Sequence, residues 1–448
     1  MRNFLTLIHV LVLMLIGNLT FVSAEDFHLG QQVVLEAKKP IGVPLHRKPS
    51  PSYLKHVPSG TKATIDRMAQ GGHWLSITLA SGDSSWVHKK YIQANATTVT
   101  PTPTAPPTPS APTSPRTSTI TVGGENEVWA NEAQCQAAMQ KGLRMADSST
   151  EKLRIASWNL RWFPVGSAPG QHQVSAEPTD LDWLACTIRW MQVDVLAFQE
   201  SLATPAATQA WKTLTKKLSK QTGHTWRWQR QSCGRPDNHH VGLLWNDSRV
   251  ALSQSGSLWQ FNAKATSARD ACKSGLRPGH YAFVKSRQND GVDFHLIAVH
   301  LKSGPTVFAV EQRQKAFNRI DKAVAPLLSK DQDVVILGDF NTMGAGDRQS
   351  QKSELKYLNR FVRKEKPGFS DLPVTPQCSH YFRGRGGQLD HVLVTNQMKE
   401  IAVKSVQVTG YCALADCQRI RGDYPLAYRR LSDHCPLVLE IANKDVDG

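Results

Sequence analysis

The sequence predicts an α+β fold in which two packed mixed β-sheets are flanked by helices and preceded by a small N-terminal all-β barrel. Apolar runs typical of buried strands recur in the long C-terminal part of the chain, for example at residues 153–160 and 293–300. Long loops and one clear helical run, 307–328, separate them, as expected for two sheets packed face to face. Short alternating runs broken by turn residues occupy residues 25–95, which predicts the barrel.

Residues 1–24 are predicted to be a secretory signal peptide. Arg2 supplies positive charge, an apolar run spans residues 4–16, and Val22-Ser23-Ala24 has the small residues of a cleavage site. An uncleaved membrane anchor is the alternative, although the run is short for a bilayer span. No later stretch is apolar enough to cross a membrane, so no integral membrane segment is expected after cleavage. We therefore expect a secreted, periplasmic or cell-surface-associated protein.

Residues 25–95 and a Thr/Pro-rich linker at residues 96–124 precede the main segment. The motifs GVPLH at 42–46, WLSI at 74–77 and Trp86-Val87 in the first of these segments resemble the bacterial Src-homology-3-like domain. That resemblance implies a module that binds a cell-wall ligand, and a simple spacer is the alternative. The linker is rich in Thr, Pro, Ser and Ala, which cannot build a core and keep a chain extended.

Charge and cysteine content limit the classes of partner. The chain has a formal net charge of +16, which suits nucleic acid, an acidic wall polymer or lipid head groups, although a solvated surface without a specific partner would look the same. Its eight cysteines are even in number, and in an exported protein they are compatible with disulfides. Cys412 and Cys417 are close enough for a small loop, but the sequence does not fix the pairing. There is no CxxC pair, so a zinc site is not expected.

Polar residues stand at the ends of the predicted strands of the segment 125–448. In VVILGDFNTMG, residues 334–344, the apolar strand is followed by Gly338, Asp339 and Asn341, which fit either an ordinary turn or a functional site. The same pattern recurs along the chain, and four strands run toward their polar residues whereas the last two run away from theirs. In a mixed sheet all these groups can meet at one rim; they are Asn159, Glu200, His300, Asp339, Asn341, Asp390, Asp433 and His434.

Such a rim predicts a divalent-metal site. Clustered carboxylates repel one another unless a positive charge lies among them. Carboxylate and amide oxygens suit a hard cation, Mg²⁺ above all, with Mn²⁺ or Ca²⁺ possible. A histidine held by a carboxylate beside such an ion can orient or deprotonate water, which suits phosphate chemistry.

The motifs SWNL, FQE, HLKS, GDFN, LDH and SDHCP occur in this order and resemble the endonuclease/exonuclease/phosphatase superfamily, which includes pancreatic-type deoxyribonuclease. The resemblance covers residues 150–442. It implies a four-layer α/β-sandwich and a metal-dependent phosphoester hydrolase. Any one motif is weak, but six in order on predicted strand ends are specific.

The resemblance also implies a role for each residue. Glu200 would be the principal metal ligand, with Asn159 beside it and Asp433 in contact with the metal region. Asp339 and Asn341 would position the attacking water and the phosphate. In addition, His434 would be the general base or the phosphate-activating imidazole oriented by Asp390, and His300 would bind the scissile phosphate or assist the leaving oxygen.

The substrate is predicted to be nucleic acid, with a DNA endonuclease as the first choice, and the sequence leaves DNA versus RNA and internal versus terminal cleavage open. The segment is basic, Lys302 follows the histidine of the HLKS motif, and HTWRWQRQ at 224–231 interleaves aromatic and basic residues that could stack on bases. A half-buried strand with its aromatic side chains in the core is the alternative for that stretch. For the function of the whole protein, one alternative is a sphingomyelinase-type or phosphoinositide-type phosphoesterase. The other is a non-enzymatic cell-wall-binding protein. Oligomeric state is not predicted.

Overall fold

The computed structural model describes residues 32–37, 43–46, 55–68, 74–80, 84–94, 121–147, 149–168, 176–364, 368–401 and 404–446. The predicted signal peptide lies outside these residues, as does the predicted linker apart from residues 121–124. The chain forms two compact units, residues 1–113 and 114–448. Within the described ranges, no helix has both the length and the apolar character of a membrane-spanning helix.

The described part of the first unit is all-β. Five strands form an antiparallel sheet in the order β6-β5-β4-β1-β7, and β2 and β3 pair as a separate hairpin. Alternate side chains such as Leu35, Ile65 and Ile77 are buried and form its core, as the period of two in a strand requires. The likeness to a bacterial Src-homology-3-like domain stays a prediction. The strands are β1 (Gln32–Leu35), β2 (Val43–Leu45), β3 (Lys55–Val57), β4 (Thr61–Met68), β5 (Trp74–Leu79), β6 (Ser84–His88) and β7 (Ile92–Ala94).

The second unit contains all the described α-helices. They are α1 (Glu125–Val128), α2 (Glu132–Gln140), α3 (Leu181–Met191), α4 (Pro205–Thr222), α5 (Val307–Phe317), α6 (Ile320–Val324), α7 (Arg348–Val362), α8 (Tyr411–Leu414) and α9 (Leu426–Arg430). Its strands are β8 (Thr121–Val122), β9 (Leu143–Arg144), β10 (Lys152–Phe163), β11 (Val195–Ser201), β12 (Trp226–Arg230), β13 (His240–Asn246), β14 (Val250–Leu258), β15 (Gly279–Ser286), β16 (Asp293–His300), β17 (Val334–Asp339), β18 (Phe369–Asp371), β19 (Val374–Thr375), β20 (His380–Phe382), β21 (Arg385–Gly387), β22 (Asp390–Thr395), β23 (Val406–Val408) and β24 (Leu437–Ala442).

Two mixed sheets form the centre of this unit. One has seven strands in the order β12-β13-β11-β10-β24-β23-β19, and the other has six in the order β14-β15-β16-β17-β22-β18. Alternate residues of β16 and β17 divide between two cores. Leu296 and Leu337 pack between the sheets, whereas Ile297 and Ile336 pack outward against helices α5 to α7. The predicted fold, two packed mixed sheets flanked by helices, is confirmed.

One predicted helix differs from the structure. The run 307–328 was expected to be continuous, but α5 ends at Phe317 and α6 begins at Ile320. Arg319 between them has φ −122° and ψ 4°, outside the helical range, and its guanidinium donates to the carbonyl oxygens of Asn262 and Ala265. Tertiary hydrogen bonds to a neighbouring loop therefore break a pattern that is helical by sequence alone.

All eight cysteines are paired in four disulfides: Cys135–Cys186, Cys233–Cys272, Cys378–Cys417 and Cys412–Cys435. The small loop suggested by the spacing of Cys412 and Cys417 is wrong. The fold brings Cys435, before β24, beside Cys412 in α8, and Cys378, before β20, beside Cys417, so tertiary proximity decides the pairing. Cys135–Cys186 links α2 to α3 and is buried in the main core.

Removing the Cys135–Cys186 disulfide should lower stability markedly. Its loop spans 51 residues, and a disulfide closing a loop of this size contributes about 2–4 kcal/mol to the free energy of unfolding. We expect the Cys135→Ala/Cys186→Ala variant to lose about that amount in urea unfolding under non-reducing conditions. Unfolding midpoints equal to those of the unmodified protein would contradict this expectation.

Candidate active site

The site forms where strands of both sheets present polar side chains at one edge. Strands β16 and β17 run parallel, and β22 runs antiparallel to β17. Their register places His300 opposite Asp339 and Asp339 opposite Asp390. These three functional side chains are therefore cross-strand neighbours. Because β22 runs opposite to β16 and β17, it begins with its polar residue, whereas β16 and β17 end with theirs.

Backbone geometry at this edge is unusual. Glu200 and Asn341 both have positive φ, 61° and 55°. Glu200 lies where the pairing of β11 with β13 shifts register. A Cβ on Gly338 would collide with the carbonyl oxygen of Val299, so only glycine allows β17 to approach β16 this closely. Left-handed conformations at non-glycine residues cost free energy and concentrate at functional sites.

His434 and Asp390 form a buried pair. Nδ1 of His434 lies 2.8 Å from Oδ2 of Asp390, and the hydroxyl of Ser379 donates to the same oxygen at 2.6 Å. Burial lowers the pKa of His434, but the carboxylates of Asp390 and Asp339 outweigh it and raise that pKa to about 10. The hydrogen bond on Nδ1 leaves Nε2 facing Asp339, 3.8 Å from its Oδ2. This is the geometry of an oriented imidazole.

Asp339 lies at the centre of the cluster. Its Oδ2 accepts from Nδ2 of Asn159 at 3.0 Å and lies 3.5 Å from Nε2 of His300. Its Oδ1 accepts from the backbone N–H of Asn341 at 2.9 Å. Burial raises the pKa of Asp339, and with the nearby carboxylates of Asp390 and Glu200 it brings the pKa to about 7, although the positive charge of His434 acts against this.

Glu200 lies on the solvent side of Asp339. Its Oε2 accepts from the backbone N–H of Trp162 at 3.2 Å, and its Oε1 lies 3.5 Å from Nδ1 of His239 and 3.8 Å from Nε2 of His300. Burial lowers the pKa of both histidines, that of His300 to well below its usual value, and the positive charge of Arg277 acts in the same direction. Two neutral imidazoles therefore flank this carboxylate.

Asp433 and Asn341 complete the set. Burial raises the pKa of Asp433, but the positive charges of His434, Arg161 and His380 lower it more, so the net pKa lies below the usual value. The side-chain amide of Asn341 donates to the carbonyl oxygen of Leu301 at 3.3 Å, which ties it to the loop after β16. All eight residues predicted from the sequence therefore lie at one site, and their individual roles stay predictions.

The donor set fits a divalent cation. Two groups of side chains place their ligand atoms within 4.8 Å of one another: Glu200, His239 and His300 in one, and Asp339, Asp390 and His434 in the other. Oδ1 of Asp390 is buried without a hydrogen-bond partner among the described residues. A cation would relieve the repulsion among these carboxylates. Of the three residues expected to hold the metal, Glu200 belongs to the first group and Asp433 belongs to neither. The side-chain oxygen of the third, Asn159, accepts a hydrogen bond from the backbone N–H of Arg161 at 3.0 Å.

The sequence did not identify His239 as part of the site. Its neighbour His240 is buried, and Nε2 of His240 lies 3.1 Å from the carbonyl oxygen of Arg235. The ring of His239 instead lies 5.5 Å from that of His300 and 3.9 Å from that of Trp162. The double histidine at the start of β13 was the available signal, because neighbours in an extended chain face opposite sides.

Two other residues that support the site were also missed. Ser379 holds Asp390, as described above, and the ring of His380 lies 4.6 Å from that of His434. Both precede the LDH motif in the stretch CSHYF, where nothing in the spacing marks them. Arg277 donates to the carbonyl oxygens of His300 and Leu301 and so holds the loop after β16 in place.

The aromatic and basic stretch 224–231 is not a base-stacking surface. It forms β12, the edge strand of the seven-stranded sheet, and Trp226 is buried in the core. Trp228 stacks on Trp211 at 5.7 Å between ring centroids. Arg227 pairs with Asp247 at 2.8 Å. The half-buried strand that the sequence left open is what the structure shows.

Comparison with known proteins places the fold in a family. The model of the Endonuclease/Exonuclease/phosphatase family matches residues 156–434. No curated protein sequence matches significantly. Among solved structures, the chain is similar to an endonuclease/exonuclease/phosphatase from Bacteroides vulgatus, with 16% identity, a TM-score of 0.44, and coverage of 65% of this chain and 99% of that one. It is also similar to the human Nocturnin catalytic domain with bound sulfate anion, with 13% identity, a TM-score of 0.42, and coverage of 67% and 97%.

Proposed function

The chain belongs to the endonuclease/exonuclease/phosphatase family, whose members hydrolyse phosphoester bonds, and on this premise we propose that it is a secreted, divalent-metal-dependent phosphodiesterase that acts on nucleic acid, specifically a DNA endonuclease. One observation carries the proposal. The buried His434–Asp390 pair points its free Nε2 toward the carboxylate cluster around Asp339. That arrangement suits in-line attack of water on a phosphodiester.

The proposed reaction uses His434 and Asp339 on the attacking side. Water lies between Nε2 of His434 and the scissile phosphorus, and Nε2 orients the water and takes its proton when the imidazole is neutral. In the protonated form, which a pKa of about 10 favours, the same Nε2–H instead donates to a phosphoryl oxygen. The carboxylate of Asp390 fixes the tautomer and direction of the imidazole and stabilises it when it carries the proton. Asp339 and the amide of Asn341 hold the water and a phosphoryl oxygen in line.

On the other side of the phosphate, His300 donates a hydrogen bond to a non-bridging oxygen or to the leaving oxygen. Its position next to Asp339 at 3.5 Å makes Nε2 the donor atom available for this role. Preformed donors of this kind stabilise the charge that develops in the transition state. Arg277 holds the backbone of His300 and Leu301, which keeps that imidazole in place.

The divalent cation would be held by Glu200, with Asn159 and Asp433 nearby. When bound, it would supply Lewis-acid stabilisation of negative charge on a phosphoryl oxygen. Mg²⁺ is the ion that carboxylate and amide oxygens favour, and Mn²⁺ or Ca²⁺ would fit the same set. The imidazole of His239 beside Glu200 favours Mn²⁺ more than Ca²⁺, because nitrogen ligands suit transition metals.

Replacing Glu200 with glutamine should weaken metal binding without unfolding the protein. The amide keeps the size of the side chain but removes the negative charge that faces the cation, and we expect Mn²⁺ affinity to fall by about tenfold or more. Electron paramagnetic resonance of Mn²⁺ titrated with protein measures this directly. Glu311→Gln, an exposed residue of α5, is the matched control and should bind Mn²⁺ as the unmodified protein does. Equal affinity of Glu200→Gln would remove Glu200 from the metal site.

Charge and disulfides support the substrate and the location. A net charge of +16 provides the non-specific attraction on which nucleic-acid binding depends. Four disulfides are typical of proteins in oxidising compartments. The apolar N-terminus agrees with export. Residues 25–95 remain a candidate module for a cell-wall ligand, which would keep the enzyme at the cell surface.

A substrate panel tests the assignment. Purified protein lacking residues 1–24 is incubated with Mg²⁺ and supercoiled plasmid, RNA, sphingomyelin vesicles or a phosphoinositide. Nicked and then linear plasmid, with little release from lipids, is expected. Hydrolysis of sphingomyelin or phosphoinositide alone would support the lipid alternative, and inactivity of folded protein on every substrate would support the wall-binding alternative.

A further inference from the structure

A second polar surface begins beside the proposed site and contains four arginines. Strands β20 and β21 form a hairpin whose tip is Phe382-Arg383-Gly384-Arg385, and the segment 417–424 lies against it. We name the exposed side chains Phe382, Arg383, Arg385, Arg419 and Arg421 the arginine platform. Phe382 is 59% exposed, so its ring is open to contact with a ligand.

The two segments of the platform are fastened together. The disulfide Cys378–Cys417 joins the base of the hairpin to the second segment. The N–H of Ile420 donates to the carbonyl oxygen of Gly384 at 2.9 Å, and the N–H of Gly384 donates to the hydroxyl oxygen of Tyr424 at 2.6 Å. The platform is therefore held in shape before any ligand binds, which reduces the entropy cost of binding.

The arginines are available to an anionic ligand. None of the four forms a salt bridge among the described residues, although Asp416 and Asp423 belong to the same segment. Arg383 lies over the ring of Phe382 at 5.2 Å. A groove of about 520 Å³ is lined by Arg383, Arg419, Arg421 and Tyr424. Guanidinium groups bind phosphate oxygens through paired N–H donors, so the groove suits phosphodiesters.

The hairpin connects this groove to the reaction centre. His380, at its first position, forms a β-bridge with His434, and the N–H of Tyr381 donates to the carbonyl oxygen of Asp433 at 3.1 Å. Phe382 ends the strand two residues after His380, which in an extended strand is about 7 Å, and Arg383 begins the turn beyond it. That distance is roughly the rise of two base pairs of DNA.

We propose that the arginine platform binds the nucleic-acid strand that flanks the scissile phosphate, with arginines on backbone phosphates and Phe382 against a base or sugar. The inference rests on the proposed function, because it names how that site would hold a polymeric substrate. A membrane surface fits less well, since one exposed apolar side chain among four cations offers too little apolar area for interfacial insertion.

Charge removal with a matched control tests the platform. The variant Arg383→Ala/Arg419→Ala/Arg421→Ala is compared with Lys212→Ala/Lys216→Ala/Lys220→Ala, which removes equal charge from the exposed face of α4. Both carry His434→Ala so that DNA is bound and not cut. Binding of a DNA duplex is measured by fluorescence anisotropy over a range of salt concentrations. The slope of log K against log salt should fall by about 2–3 in the arginine variant and by much less in the lysine control.

A second comparison separates failure of the platform from failure of the nuclease assignment. With His434 restored, the arginine variant should cut plasmid at least about tenfold more slowly but hydrolyse bis(p-nitrophenyl) phosphate, which is too small to reach the platform, at the normal rate. Normal plasmid cutting with an unchanged salt slope would overturn the platform. If the unmodified protein hydrolysed the small diester but did not cut DNA, the nuclease assignment would fail. A smaller salt slope for DNA binding in the arginine variant would still support the platform.

Two further measurements complete the test. Phe382→Ala should weaken binding of single-stranded DNA by on the order of tenfold, because stacking on one base is lost. Loss of binding to phosphatidylserine vesicles in the arginine variant, with DNA binding retained, would overturn the proposal in favour of a membrane contact. Thermal unfolding of each variant, measured by circular dichroism, should match that of the protein with the same residue at position 434, because all the other substituted side chains are exposed.

Discussion

Replacing His434 with alanine is expected to slow phosphodiester hydrolysis by about 10²–10⁴-fold, the usual contribution of a positioned acid–base group. The imidazole is held by Asp390 at 2.8 Å, and its Nε2 faces Asp339. The measurement is the rate of nicking of supercoiled plasmid at saturating Mg²⁺. Asp390→Asn should give a smaller loss, because the imidazole remains but its orientation and charge stabilisation are weakened.

The control for this experiment is another histidine. His224→Ala removes an exposed imidazole next to Asn246, at the opposite end of β13 from His239, and should leave the rate unchanged. Circular dichroism must show that His434→Ala is folded. A folded His434→Ala protein that nicks plasmid within about threefold of the normal rate would exclude His434 from the proposed chemistry.

Replacing Arg313 with methionine should cost about 3–5 kcal/mol in the free energy of unfolding. Arg313 and Glu354 form a fully buried ion pair, with N–O distances of 2.6 and 2.9 Å. Removing one partner leaves an uncompensated charge in the interior. The same arginine donates to the carbonyl oxygens of Lys302, Gly304 and Gly344, so it also joins the loops that follow His300 and Asn341.

Urea unfolding followed by tryptophan fluorescence measures this loss. The double variant Arg313→Met/Glu354→Leu removes both charges and should recover part of the stability, because an apolar pair of similar size can replace a buried ion pair. Lys315→Met, a basic residue of the same helix, is the control and should change stability by less than about 0.5 kcal/mol. Equal stability of Arg313→Met and the unmodified protein would contradict the assigned importance of the pair.

The strands and the site edge were predictable because they rest on local patterns. Apolar runs such as VVIL at 334–337 identify buried strands from sequence alone. The polar residues that end or begin those strands then fix which edge of the sheet is functional. Asp339 and Asp390 were expected to meet on these grounds, and the register of β17 with β22 places them opposite each other.

Features that depend on distant parts of the chain were not predictable. The position of His239 depends on the loop that brings it to Glu200. The sequence pattern alone does not show which of the two neighbouring histidines, His239 or His240, faces the site. Cys412 is paired with Cys435 because helix α8 meets the loop before β24, not because of spacing along the chain. The aromatic residues of β12 looked like a nucleic-acid surface, but packing against Trp211 in the core accounts for them.

The measurement to make first is plasmid nicking by the purified protein lacking residues 1–24 under three conditions: Mg²⁺, excess chelator, and chelator followed by restored Mg²⁺. The arrangement of Glu200, Asp339 and the His434–Asp390 pair predicts nicking in the first and third conditions and none in the second. Equal nicking with chelator present would contradict a metal-dependent site at this edge of the sheets.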